Sequence, residues 1–326
     1  MEKSEARKLF YSQERLPVDG TKDDEHFTFY RLGRSCQTVC EINLSLGLDG
    51  EEIELAHITD IHLNHYNADD LLDEEIMDSV RHREWLKGAE CVLPAERAMN
   101  AAAYADQTVI TGDIVDYLSR GARELAQKYV LSRDPGLLCS PGLHDFVKEL
   151  ETGKPEKLSY EEREKILQSF WPNDLHYASK ILKNKLIVAV VDNSQNHYCP
   201  KAYEPLKAEI EKARENGLKI LVFQHEPLST HNSADTLVKS NTPIVCAAYD
   251  FFDGPRINGG SKANETDKKF YQLLLNSTDV VKGVFAGHLH NTYYTEIKGE
   301  NGAFIPQYVS LACLYFGGSL TRIIIK

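Results

Sequence analysis

HITDIHLN, residues 57–64, closes a run of alternating apolar and polar side chains that begins near Glu52. Alternation with period two marks a half-buried strand, so Asp60 and His62 fall just past a strand end. There residues i and i+2 point the same way, and a carboxylate and an imidazole can reach one ligand together. An earlier alternating run, residues 38–46, is joined to this one by Leu46-Gly47-Leu48-Asp49-Gly50. The Asp-Gly pair predicts a β-hairpin between the two runs.

The arrangement recurs four times downstream. The apolar run 108–111 ends in Gly112-Asp113, within VITGDIVDY (109–117). Residues 136–139 lead into Ser140-Pro141-Gly142 and then Leu143-His144-Asp145. Residues 219–223 precede His225, within ILVFQHEPL (220–228), and 280–286 run into Gly287-His288-Leu289-His290, within VFAGHLHNTYY (284–294). Ligands in α/β sheets bind beyond the carboxyl ends of strands, where such loops converge. Helices are predicted at 70–87, 94–104, 119–132 and 203–216, with a Glu/Lys-rich helical insertion at about 146–170. A further strand is expected at 185–191, within LIVAVVDNS (186–194), a polar arm over about 1–25 and a long polar loop at 229–264. Helices and strands alternate mid-chain, hairpins are expected at both ends, and neither repeat nor linker interrupts residues 1–326. The pattern predicts one α/β domain built on mixed sheets.

The chain has 326 residues, 42% apolar and 26% charged, which suits a large folded core and sets disorder aside. Its net charge of -12 and the lack of a Lys/Arg block argue against polymeric nucleic acid or an anionic membrane as partner. A small phosphorylated substrate stays open, because bound cations dominate their local field whatever the net charge. The first residues lack the apolar segment of a secretory signal, and the seven cysteines include no CxxC pair. Together these predict buried thiols and a cytoplasmic location.

Asp and neutral His together are ligands for Mn, Fe or Zn rather than Ca or Mg. Asp113 is the natural bridge between two cations, one on each carboxylate oxygen. Each segment has a bland reading too. Asp-x-His occurs by chance, Gly-Asp after a strand is commonly a turn, and a single histidine such as His225 is more often packed than ligating. His-x-His is more specific, since two imidazoles facing one way are rarely needed for packing. His57 and His65 read as ordinary packing or solvent contact. Asp116 reads equally as a support for the site or as a helix cap. Residues 249–256, with their aromatics and Arg256, read as a substrate loop or as a loop packed on itself.

The ordered set D-x-H, G-D, G-x-H-D, H, G-H-x-H resembles the signature of the calcineurin-like metallophosphoesterases, from about Glu52 to Phe316. That resemblance implies a four-layer α-β-β-α sandwich with a dimetal site at one edge. It implies Asp60, His62 and His290 around a first divalent transition metal, Asp113 as bridge, and His225 and His288 around a second. It implies His144 as the group that protonates the leaving group or steadies the transition state, with Asp145 orienting it. The chemistry implied is hydrolysis of phosphomonoesters or phosphodiesters by a dimetal-bound hydroxide, with no covalent enzyme intermediate. One position departs: the family has Asn where this chain has Leu143, so the second cation loses an amide ligand. The alternative is a non-catalytic scaffold that keeps the fold and a degraded site.

Overall fold

The computed structural model describes residues 3–12, 15–16, 25–33, 37–65, 91–146, 158–228, 263–298, 302, 304–315 and 317–326. The helix expected at 70–87, the first part of the insertion and the polar loop with residues 249–256 lie outside the described residues.

Strand patterns that are apolar on both faces need cover on both faces, and this chain meets that need with two stacked sheets. One holds β1 (Arg15–Leu16), β2 (Thr28–Leu32), β3 (Gln37–Leu44), β4 (Ile53–Ile58), β5 (Gln107–Thr111), β6 (Leu138–Ser140) and β13 (Leu320–Ile325), in the order β1-β2-β3-β13-β4-β5-β6. The other holds β7 (Tyr177–Leu182), β8 (Leu186–Val191), β9 (Lys219–Phe223), β10 (Val281–Ala286), β11 (Tyr293–Lys298) and β12 (Phe304–Val309), in the order β11-β12-β10-β9-β8-β7. Both sheets mix parallel and antiparallel pairs.

Side-chain alternation assigns the layers. On β8, Leu186, Val188 and Val190 face the opposite sheet, meeting Leu55, Val109, Ile323 and Phe285 in the inter-sheet core. Ile187, Ala189 and Val191 face outward, under α6 (Tyr203–Asn216) and α7 (Glu265–Leu275). Ala56, Ile58 and Ile110 play that outward role in the first sheet, under α2 (Val92–Ala102), α3 (Arg120–Ala126, continued by one π turn, Gln127–Leu131) and α5 (Tyr160–Gln168). The result is the α-β-β-α sandwich, built on mixed sheets. Among the described residues no helix is long and apolar enough to cross a membrane.

The expected hairpin is corrected. Runs 38–46 and 52–59 are strands, but β3 and β4 do not pair, because β13 lies between them, parallel to β3 and antiparallel to β4. Its sequence, LTRIII, is buried on both faces except at Arg322, so it belongs at a sheet centre. The Leu46 N–H donates to the carbonyl of Lys326, anchoring the end of the strand there. The N-terminal hairpin is instead β2 with β3, and a C-terminal one joins β11 and β12. Strands β2 and β7, helix α7 and α1 (Lys3–Tyr11) complete what the pattern reading left unassigned or vague.

Candidate metal centre

Five strand ends supply the site, and all lie at one edge of the sandwich: β4 leads to Asp60 and His62, β5 to Asp113, β6 to His144, β9 to His225 and β10 to His288 and His290. The loops are stitched to one another. Asp60 N–H donates to the Gly112 carbonyl, His62 N–H to that of Asp113, Gly287 N–H to that of His225, and His288 N–H to Asp60 Oδ2 at 2.9 Å. Two glycines permit this closeness. A Cβ on Gly112, whose φ is +71, would collide with the backbone of Gly142, and one on Gly287 with the Thr59 hydroxyl.

Asp60, His62, Asp113, His288 and His290 all have positive φ, between 50 and 70°. Side chains in this region cost roughly 1–3 kcal/mol each and persist where the surroundings enforce them, most often at functional sites. The consequence is convergence. Potential ligand atoms of Asp60, His62 and His290 lie within 4.8 Å of one another, as do those of Asp113, His225 and His288. These are the two trios that the resemblance assigned to two cations.

The spacing within the trios is that of ligands. His62 Nε2 faces His290 Nε2 at 3.1 Å, and His225 Nε2 faces His288 Nδ1 at 3.2 Å. Asp60 Oδ1, fully buried and without a regular hydrogen bond, lies 3.4 Å from His290 Nε2 and 3.9 Å from His62 Nε2. A cation with ligands at ~2.0–2.2 Å has neighbouring ligand atoms about 3–3.5 Å apart, so the set fits transition cations. Outer contacts aim the rings: His225 Nδ1 donates to the Thr111 carbonyl at 2.7 Å, and His62 Nδ1 faces Asp116 Oδ1 at 3.2 Å. Each leaves Nε2 toward the cluster, as ligating histidines require.

The bridge is corrected in detail. Asp113 Oδ1 accepts the His144 backbone N–H at 2.9 Å, whereas Oδ2 alone faces both trios, 3.2 Å from His225 Nε2 and 3.7 Å from His62 Nε2. One oxygen, rather than one on each side, spans the two sets.

The electrostatics match a cation cage. Burial alone would raise the Asp60 and Asp113 carboxyls, yet the surrounding imidazoles hold both below the usual carboxylate range. Burial opposes charge on His225, but Asp113 and Asp60 push it up to about 10. Burial, then the charge on His225, pushes neighbouring His288 down to about 3. The buried carboxylates therefore favour positive charge between them.

His144 stands beside the trios, its ring 4.8 Å from that of His62, and keeps 22% of its side chain exposed. Burial disfavours its charge, but Asp113 and Asp116 push it up to about 9. The partner assigned from sequence is corrected. Asp145 accepts the backbone N–H groups of Gly142 (2.9 Å) and Val115 (3.0 Å), shaping the loop instead of the imidazole. Burial, then Asp113, pushes its carboxyl up to about 7. Asp116 holds His144, whose Nδ1 donates to the Asp116 carbonyl at 2.9 Å and lies 3.2 Å from its carboxylate. Asp116 is thus a support for the site, not a helix cap. Leu143 begins α4 (Leu143–Phe146), is half-buried and packs in none of the apolar clusters of described residues.

Residues the sequence reading passed over also matter here. Asn193, after β8, accepts the backbone N–H groups of His225 and Glu226 (3.1 and 3.0 Å), and Thr59 donates to Asp60 Oδ2 at 2.7 Å. The polar pair Asp192-Asn193 just past an all-apolar strand was the available signal for Asn193. His57 is packing, as read: it lies between the sheets, bonded to Ser310 and Thr111 hydroxyls and pushed down to about 3 by burial.

No family model matches the chain, and no curated protein does. Among solved structures it is similar to a dimetal phosphatase from Danio rerio, with a TM-score of 0.49 and 12% identity over 80% of this chain and 88% of that one. It is also similar to TT1561 of Thermus thermophilus, with a TM-score of 0.37 and 9% identity over 81% of this chain and 91% of that one. At such scores function has to be read from the side chains themselves.

Proposed function

We propose that the chain is a metal-dependent phosphoesterase that hydrolyses a small phosphorylated substrate, a phosphomonoester or phosphodiester. The observation that carries this reading is the pair of His/Asp trios, with Asp113 Oδ2 facing both and His144 held alongside by Asp116. Two divalent transition cations, of Mn, Fe or Zn type, would supply an activated water and neutralise the phosphoryl oxygens. Asp60, His62 and His290 would hold one cation, and His225 and His288 the other, with Asp113 Oδ2 reaching both. His144 would give its proton to the leaving oxygen, and Asp116 would keep its ring turned to the task. A cytoplasmic location fits the buried thiols of Cys139 and Cys313.

Leu143 favours a second reading, a scaffold with a weakened site. Elemental analysis of purified protein, with turnover of nitrophenyl phosphate before and after chelation, separates the two. The enzyme predicts bound Mn, Fe or Zn and loss of turnover on chelation; protein without transition metal, or turnover indifferent to a chelator, would count against it.

A further inference from the structure

A second cluster of ligating side chains, sharing no residue with the first, lies where β7 begins and β8 ends. His176 precedes β7, Asp192 follows β8, and the Asp192 N–H donates to the His176 carbonyl at 3.0 Å. Cys199 stands at the start of the helical run that becomes α6, and its N–H donates to the Asp192 carbonyl at 2.9 Å. Three separate segments are thus clamped by backbone bonds so that their side chains meet. Potential ligand atoms of His176, Asp192 and Cys199 all lie within 4.8 Å of one another.

The surroundings are those of a built site. Asp192 Oδ2 is 2.8 Å from His176 Nδ1, while Oδ1 accepts the Ser194 N–H (3.0 Å) and hydroxyl (2.8 Å), which fixes the carboxylate plane. On the far side of the ring, His176 Nε2 lies 3.2 Å from Glu164 Oε1, and Lys201 Nζ sits 2.7 Å from that same oxygen and 3.1 Å from Nε2. A carboxylate on one imidazole nitrogen with a ligand set on the other is how ligating histidines are oriented. His176 and Asp192 are buried, at 7% and 2% exposure, and the half-buried Cys199 leaves one side open.

We propose that His176 Nδ1, Asp192 Oδ2 and the Cys199 thiolate form a binding site for one borderline divalent cation of the zinc or cobalt class, separate from the phosphoesterase centre. A mixed S/N/O set selects such ions over Mg or Ca. One carboxylate and one thiolate neutralise a divalent ion, and the open side admits a water as fourth ligand. Bonds of ~2.0–2.3 Å put neighbouring ligand atoms about 3.3–3.7 Å apart. The 2.8 Å between Nδ1 and Oδ2 therefore opens by roughly half an ångström on loading, as the cation replaces the Nδ1 and thiol protons. The ion would pin residues 192–199, and with them Asn193, which carries the His225 loop. Its role is structural.

Cobalt titration of chelator-stripped full-length protein tests this, because thiolate–cobalt coordination gives a near-ultraviolet charge-transfer band that a His/Asp cluster cannot produce. The band should saturate at the intensity of one thiolate-bound cobalt per chain, vanish in Cys199→Ser and His176→Asn, and persist in Asp113→Asn. That last variant separates the site from the phosphoesterase reading, which can fail while the band stands. Absence of the band in the unsubstituted protein, or its persistence in Cys199→Ser, overturns the proposal. Should the variants fold poorly, alkylation of Cys199 in the unsubstituted protein, followed by peptide mass analysis, replaces them. Zinc should slow it at least tenfold, and an unchanged rate is equally decisive against the site.

Discussion

On the reading proposed above His144 would give a proton to the leaving oxygen, and two tests follow from its surroundings. Replacement by Ala should leave metal content intact and cut the rate ~10²–10⁴-fold. The loss should be larger for an alkyl phosphate than for nitrophenyl phosphate, whose leaving group departs without a proton; equal losses argue against the acid. The sign of the pH effect follows. An acid must be protonated, so the rate falls as pH rises through its pKa. That value is about 9 with Asp113 and Asp116 as the charged neighbours, and cations bound beside Asp113 would lower it. The alkaline limb should therefore lie below pH 9 and be missing from His144→Ala. Leu143 carries the other test at this scale. It is half-buried outside the apolar clusters, so Asn can replace it at little packing cost. Leu143→Asn should raise occupancy of the His225/His288 position by roughly 10–100-fold in affinity, and raise activity at limiting Mn²⁺. A titration in which both variants coincide would show that Leu143 is not at a ligand position. The side chains that the structure brings together were legible because each follows a strand end, two of the segments with ligands at spacing i, i+2. The swap of Asp145 for Asp116 was not, since both sit within a few residues of the site and only the path of the loops decides which carboxylate meets the ring.

At the scale of elements, alternation and apolar runs found the five strands that lead into the site, and 203–216 was placed to the residue as a helix. What failed was pairing. A local Asp-Gly turn suggested β3 against β4, but the partner of both comes from the far end of the chain, and sequence carries no local mark of so distant a contact. Charge was the overlooked clue. Arg322, the one charged residue in the buried stretch of β13, reaches Glu41 on β3 at 2.9 Å and buried Glu54 on β4 at 2.5 Å. Only Arg7, with Nη1 at 3.7 Å, also approaches Glu54 as a salt-bridge partner among the described residues. Removing one partner of a buried pair costs up to ~3–5 kcal/mol, and Arg7 keeps the loss at Glu54 toward the lower end of that range. Arg322→Leu should lose that much in denaturant unfolding, and Arg322→Leu with Glu54→Leu should recover most of it. A double variant no more stable than the single one would show that the register of β13 does not depend on this pair.

For the whole molecule, the division of ligands between the sheets has a mechanical consequence. Asp60, His62 and Asp113 leave the first sheet, while His225, His288 and His290 leave the second. Each trio draws on more than one loop, and both draw on both sheets: His290 joins Asp60 and His62, and Asp113 joins His225 and His288. The inter-sheet core holds the layers together below, but at this edge buried carboxylates and imidazoles replace apolar contact. Cations bound there would act as cross-braces, and they bind the native arrangement rather than the unfolded chain. Linkage then gives ~2.7 kcal/mol per site at a free cation concentration a hundred times Kd, several degrees of Tm for a chain of this size. Chelation should lower Tm by that amount, and readdition of Mn²⁺ or Zn²⁺ should restore it. Asp113→Asn weakens the oxygen that faces both trios, so its Tm should respond to cations far less than that of the unsubstituted protein. The substitution also removes the carboxylate that raises His225 and His144, so without added cation the variant should be less stable than the chelated parent. A parent Tm indifferent to chelation would mean that no cation braces this edge, and the trios would then be a polar cluster held by its own hydrogen bonds.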